Sequence, residues 1–115
     1  NRWIFDKIIS GELILCISNE ILWEYEELLS QKTNSVVSRN VIDFLLICPF
    51  VFKTDIFYNW HLIADDPDDD KFINCYFSSD SVYLVSNDQH FGKLKQIDFP
   101  KINVCTLKEF ELEVK

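Results

Sequence analysis

Three short runs constrain this chain most: the continuously apolar LILCI (Leu13 to Ile17), and the apolar-rich SVYLVS (Ser81 to Ser86) and INVCT (Ile102 to Thr106). Runs of this length without polar alternation suit strands covered on both faces, as in a parallel sheet. The segments between them have helical spacing instead. Arg2 to Ser10 places Trp3, Ile4 and Ile8, with Phe5 beside them, on one face, and Gly11 supplies a left-handed residue to end it. Ser18 is an N-cap for NEILWEYEELL, which turns Ile21, Leu22, Tyr25, Leu28 and Leu29 inward and leaves Glu24 and Glu27 off that face. SVVSRNVIDFLLI turns in Val37, Val41, Phe44, Leu45 and Cys48, and Pro49 closes it. FVFKT adds a further strand. Pro67 opens another helix, with Asp66 as N-cap and Phe72, Ile73, Tyr76 and Phe77 buried. A short helical piece carries Phe91 and Leu94, and Thr106 caps a last helix, LKEFELEV. Strands alternating with helices define an α/β chain with a parallel sheet.

A chain of 115 residues, 48% apolar with ten Phe and three Trp, can bury a core as one domain over residues 1–115. Cys16, Cys48, Cys75 and Cys105 are widely spaced among apolar neighbours with no C-x-x-C pair, so they read as reduced core residues of a cytoplasmic protein, not as zinc ligands. No apolar run approaches the roughly 20 residues that span a bilayer. The chain starts at Asn1 without Met, which fits a start inside a larger gene product. A net charge of −8 argues against a broad basic footprint for duplex nucleic acid. It leaves room for carboxylates that grip a phosphodiester through metal ions, or for a basic protein partner.

The acids are not spread evenly. DDPDDDKF, Asp65 to Phe72, holds five carboxylates in six residues before turning apolar. Much of this serves a helix start: Asp66 as cap, and Asp68 and Asp70 as first-turn charges contributing about 0.3–1 kcal/mol each. Asp69 and Asp88 need another account. In a β-α-β unit the helix starts, and the next strand ends, at the same edge of the sheet. Asp69 in the first turn of its helix and Asp88 just past SVYLVS therefore share that edge, and Asp88 caps no obvious helix. Glu24, in the second turn of a helix entered from LILCI, can reach the same edge, where open α/β sheets bind ligands. Two carboxylates about 4 Å apart repel by roughly 4 kcal/mol at an effective dielectric of 20. A cation or a bound proton must offset that. Oxygen ligands without His or Cys at matched spacing suit Mg²⁺ or Mn²⁺. His61 and His90 read as ordinary polar residues, and Trp3, Trp23 and Trp60 as core or interface. A calcium loop is excluded by Lys71 and Phe77 at the positions of its Gly and terminal Glu. No phosphate loop, G-x-G-x-x-G or G-x-S-x-G occurs.

DDPDDDKFINCYFSSDSVYLVSNDQHF resembles the DPDDNKFLECA…ADYLVTGDKHL signature of bacterial PIN-domain proteins, in the subfamily of toxin components of toxin–antitoxin systems. ISNEILWEYEELL is similar to that family's strand-to-helix stretch with its acidic position, and FPKINVCTLKEF to its closing FPGIRILTPREF. The resemblance implies a Rossmann-like three-layer α/β/α sandwich with a central, mainly parallel sheet. It also implies a metal-dependent ribonuclease with Mg²⁺ or Mn²⁺ held by Glu24, Asp69 and Asp88. Ser86 would help position a metal water. Asp70 stands where the family usually has Asn, and Asn87 replaces a Gly, which its tolerance of unusual backbone angles allows. The expected partners are RNA as substrate, a cognate antitoxin and, as is common in the family, a second copy. The family's opening strand, ending L-D-T-N with the first acid, has no counterpart here. The expectation is therefore a PIN-like domain lacking its first strand. Its rival is a catalytically inactive PIN-like module for binding.

Overall fold

The computed structural model describes residues 2–63 and 66–114; Asp65, the first acid of the run, lies outside them. The chain forms two compact units, Asn1–Asp55 and Ile56–Lys115.

In the first unit, helix α1 (Arg2–Ser10) buries Ile8. Trp3 and Ile4 are half-buried on the same side, whereas Phe5 is largely exposed at 44%. Gly11 ends α1 with φ +84°, and a Cβ there would stand 2.8 Å from the Phe50 ring. Glycine is thus required twice over at this turn, for its backbone angle and for its missing side chain. Strand β1 (Leu15–Ile17) pairs in parallel with β2 (Val51–Lys53), Leu15 opposite Val51. The connection runs through α2 (Asn19–Lys32) and α3 (Ser35–Ile47). Ser18 caps α2 as expected, its Oγ accepting from Ile21 N at 3.4 Å. Asn34 does the same for α3 from Val37 N at 2.9 Å.

The inward faces are narrower than the sequence suggests. Helix α2 buries Ile21 and Leu22 but exposes Leu28 and Trp23. On α3 the buried residues are Ser38, Ile42 and Leu45, and the expected Val37 is exposed. Ser38 enters because its Oγ donates to Glu26 O at 3.2 Å, so a small side chain that satisfies a carbonyl of α2 takes the place of a bulkier one.

The second unit holds a 3-10 turn (Pro67–Asp69) leading into α4 (Asp70–Ser78). Strand β3 (Leu84–Val85), the short helix α5 (Gln89–Gly92), a 3-10 turn (Lys93–Gln96), β4 (Val104–Cys105) and α6 (Leu107–Val114) follow. Strands β3 and β4 pair in parallel, Leu84 opposite Val104. Among the described residues the strands thus make two two-stranded parallel sheets. The core of this unit is Ile63, Ile73, Leu84, Phe91, Leu94, Ile102 and Val104, with Phe72, Tyr76 and Phe77 packed against it half-buried. Helix α6 begins with a reciprocal pair of bonds: Thr106 Oγ1 accepts from Glu109 N at 3.2 Å and Glu109 Oε1 from Thr106 N at 2.8 Å. Cys16 and Cys48 are half-buried, Cys75 and Cys105 buried, and all four are free.

Candidate metal centre

Two short-range arrangements of the second unit bring acids together. Pro67 fixes the first residue of its 3-10 turn, and that turn carries Asp69 to the mouth of α4. Strand β3 delivers the chain to Ser86, whose Oγ accepts from Asp88 N at 3.0 Å and so orders the loop. Asp88 Oδ1 then accepts from His90 N at 2.9 Å, which makes Asp88 the N-cap of α5. The expectation that Asp88 caps no helix is therefore corrected. Helix α5 has four residues and leaves no periodic apolar signature in the sequence.

The same turn swings the imidazole of His90 between two carboxylates. His90 Nδ1 lies 3.6 Å from Asp69 Oδ2 and 3.6 Å from Asp88 Oδ1. Asp66, Asp69 and His90 each offer one ligand atom, all within 4.8 Å of one another. Asp66 heads the 3-10 turn, but its side chain makes no capping bond, so the carboxylate is not spent on the helix. Asp69 Oδ2 and His90 Nδ1 are both buried and neither has a hydrogen-bond partner. A separation of 3.6 Å is longer than the roughly 2.7–3.2 Å of an N–H···O bond. Leaving such a group unsatisfied costs about 1–3 kcal/mol. The Asp69 carboxyl is raised above its ordinary value, first by burial, then by repulsion from Asp66, with a smaller push from Asp88; His90 works in the opposite direction.

The neighbouring polar residues have structural work. Asp70 is buried, its Oδ1 accepting from Ile63 N at 3.0 Å, with His61 Nδ1 3.9 Å from Oδ2. It is thus neither a solvated first-turn charge nor part of the cluster with Asp69. Asn87 Oδ1 accepts from Leu107 N at 3.0 Å. The amide there ties β3 to the start of α6, and Asn87 is not among the described residues with positive φ. Its tolerance at a glycine position comes from this bond, not from an unusual backbone angle.

Of the three acids singled out in sequence, Asp69 and Asp88 meet around His90. Glu24 lies half-buried in the second turn of α2, in the first unit. His90 and Asp66 were missed. The signals for them were spacing: Asp88-x-His90 at a turn entering a helix, and Asp66 one 3-10 turn before Asp69. Metal-ligand spacing shows in a sequence chiefly as His or Cys pairs, and here the histidine is paired with carboxylates.

Parallel strands joined by helices, with carboxylates gathered where a helix begins, define an α/β chain with an acidic cluster. The PIN-domain profile matches residues 2–90, well over half of the 115, and the chain belongs to the PIN-domain family. No curated protein and no solved structure gives a significant match. The PIN fold is generally a nuclease fold, and its members typically bind divalent metals. The residues here fit such an ion: two buried, partnerless ligand atoms, Asp69 Oδ2 and His90 Nδ1, belong to residues that each offer a ligand atom, together with Asp66, within 4.8 Å of one another. No helix among the described residues is long and apolar enough to cross a membrane.

Proposed function

We propose that this chain is a metal-dependent endoribonuclease that hydrolyses RNA phosphodiester bonds, as the toxin of a toxin–antitoxin pair. The observation that carries the reading is the meeting of Asp69, Asp88 and His90, with the orphaned Asp69 Oδ2 at its centre. Asp69 and Asp66 would hold Mg²⁺ or Mn²⁺, with Asp88 at its edge. When bound, the ion supplies a water of lowered pKa and positive charge for the scissile phosphate. Asp88 orients the α5 turn through His90 N, and Ser86 fixes Asp88 in turn. Glu24 enters as a further ligand or water-orienting base on the strength of the resemblance. So do the antitoxin and a second copy as partners, the three-layer α/β/α arrangement of residues 1–115 as one domain, and a cytoplasmic setting, which suits four free cysteines.

Cleavage of a generic single-stranded RNA with Mn²⁺ tests the reading. EDTA and Asp69→Asn should each lower the rate at least about a hundredfold, the order of loss seen when one charge-stabilising group is removed. Glu24→Gln should weaken Mn²⁺ binding as well as turnover. An Asp69→Asn protein that cleaves like the parent would sink the assignment. A parent that binds Mn²⁺ yet never cleaves would favour the non-catalytic PIN-like module instead.

A further inference from the structure

We propose that His90 binds the metal directly through Nδ1, so that the centre has a mixed nitrogen–oxygen ligand set and selects a transition-metal dication such as Mn²⁺ over Mg²⁺. This rests on the metal reading above and goes beyond it, because nothing in an all-carboxylate site requires the histidine.

The orientation of the ring is the first observation. Nδ1 is the nitrogen turned inward, 3.6 Å from oxygens of both Asp69 and Asp88. The ring as a whole keeps 39% of its surface exposed, yet Nδ1 itself is buried and has no hydrogen-bond partner. A buried ring nitrogen without a hydrogen-bond partner is rare in a folded chain and calls for a ligand of its own.

The second observation is the matching orphan opposite. Asp69 Oδ2 is equally buried and partnerless, and it faces this nitrogen. Were Nδ1 protonated and bonded to that oxygen, the pair would be expected about 2.7–2.9 Å apart, the spacing of charge-assisted bonds. Two ligand atoms each about 2.1 Å from one ion stand roughly 3.0–3.5 Å apart instead. The observed spacing is closer to the second arrangement.

The third observation is what holds the ring in place. His90 N is bonded to Asp88 Oδ1, so the backbone that carries the imidazole is anchored to the acid beside it. Asp66 completes the group within 4.8 Å.

Chemistry then dictates the preference. Mg²⁺ favours oxygen and gives up water reluctantly, whereas imidazole raises affinity for first-row transition dications. An imidazole Nδ1 ligand beside two carboxylates therefore shifts the balance towards Mn²⁺ and the heavier ions of that series.

The test uses the whole chain loaded with Mn²⁺ and pulsed electron paramagnetic resonance, which detects the ¹⁴N coupling of a directly bound imidazole. Competition between Mn²⁺ and Mg²⁺ runs alongside, with His90→Ala, His90→Gln and Asp69→Asn. The expected result is a ¹⁴N coupling in the parent that is lost in both His90 variants, with the Mn²⁺-over-Mg²⁺ preference falling at least about tenfold. The Gln variant keeps a polar side chain and the backbone N–H to Asp88, which guards against a merely misfolded Ala protein. Mn²⁺ bound in the parent and lost in Asp69→Asn, but without ¹⁴N coupling, overturns the ligand role of His90 and leaves the metal reading standing. A coupling that survives in both His90 variants assigns the nitrogen elsewhere and also overturns it. No Mn²⁺ binding at all overturns the metal reading and this inference together.

Discussion

Asp69 places a carboxylate where burial and two like charges oppose its ionisation. A carboxyl raised in the folded state holds its proton more tightly there than in the unfolded chain. Above that raised value the ionised group opposes folding. As pH falls through the folded-state value the penalty is relieved, and it is gone once pH is below the ordinary value of 3.8, where both states are protonated. Asp69→Asn has no charge to bury. In EDTA it is expected to melt a few degrees above the parent at pH 7, with the difference closing as pH is lowered towards 4, followed by thermal melts across that range. A parent more stable than the variant at pH 7 without metal would mean that Asp69 is satisfied by protein groups alone.

At the scale of elements, α4 ends on a residue that the chain tolerates with some strain. Asp80 has φ +56°, in the left-handed region, directly after the C-cap Ser79. Its N donates to Phe77 O at 3.2 Å and Ser81 N donates to Tyr76 O at 3.0 Å, the paired bonds of a Schellman ending. Glycine is the usual residue there, and an acid at a helix C-terminus also faces the negative end of the dipole. Asp80→Gly is expected to stabilise the protein by about 0.5–1 kcal/mol, read as a higher denaturant midpoint at unchanged slope. An unchanged or lower midpoint would show that Asp80 makes a compensating contact. Elements were the most legible level in the sequence, because apolar runs, caps and Pro or Gly stops report local physics. Ser18, Gly11, Pro67 and Thr106 all act where they were read. The residues that misled are those whose role depends on a neighbour outside their own turn or helix. Ser38 is buried for Glu26 O, Asp70 for Ile63 N, and Asn87 serves Leu107 N. His90 belongs with them, since its chemistry arises only when the turn after β3 meets the turn before α4.

For the whole molecule, the question is whether a net charge of −8 meets cations diffusely or at one place. Diffuse screening depends on ionic strength, so NaCl and MnCl₂ matched for it should relieve surface repulsion to a similar degree. A site adds a separate amount, RT ln(1 + [M]/Kd), or about 2.7 kcal/mol when the free ion is a hundred times Kd. For a chain of this length each kcal/mol raises Tm by several degrees. MnCl₂ is therefore expected to raise Tm well beyond matched NaCl, and the excess should vanish in Asp69→Asn. The chain's division sharpens the expectation, because Asp66, Asp69, Asp88 and His90 all belong to Ile56–Lys115. Hydrogen exchange with Mn²⁺ should slow first at the starts of α4 and α5 in that unit, where the ligands enter. Equal Tm gains from the two salts, with protection spread evenly along the chain, would mean that the acids attract only an ion atmosphere. An excess confined to MnCl₂ and lost with one carboxylate has no such explanation, since removing a single charge of so many barely alters an atmosphere but destroys a site.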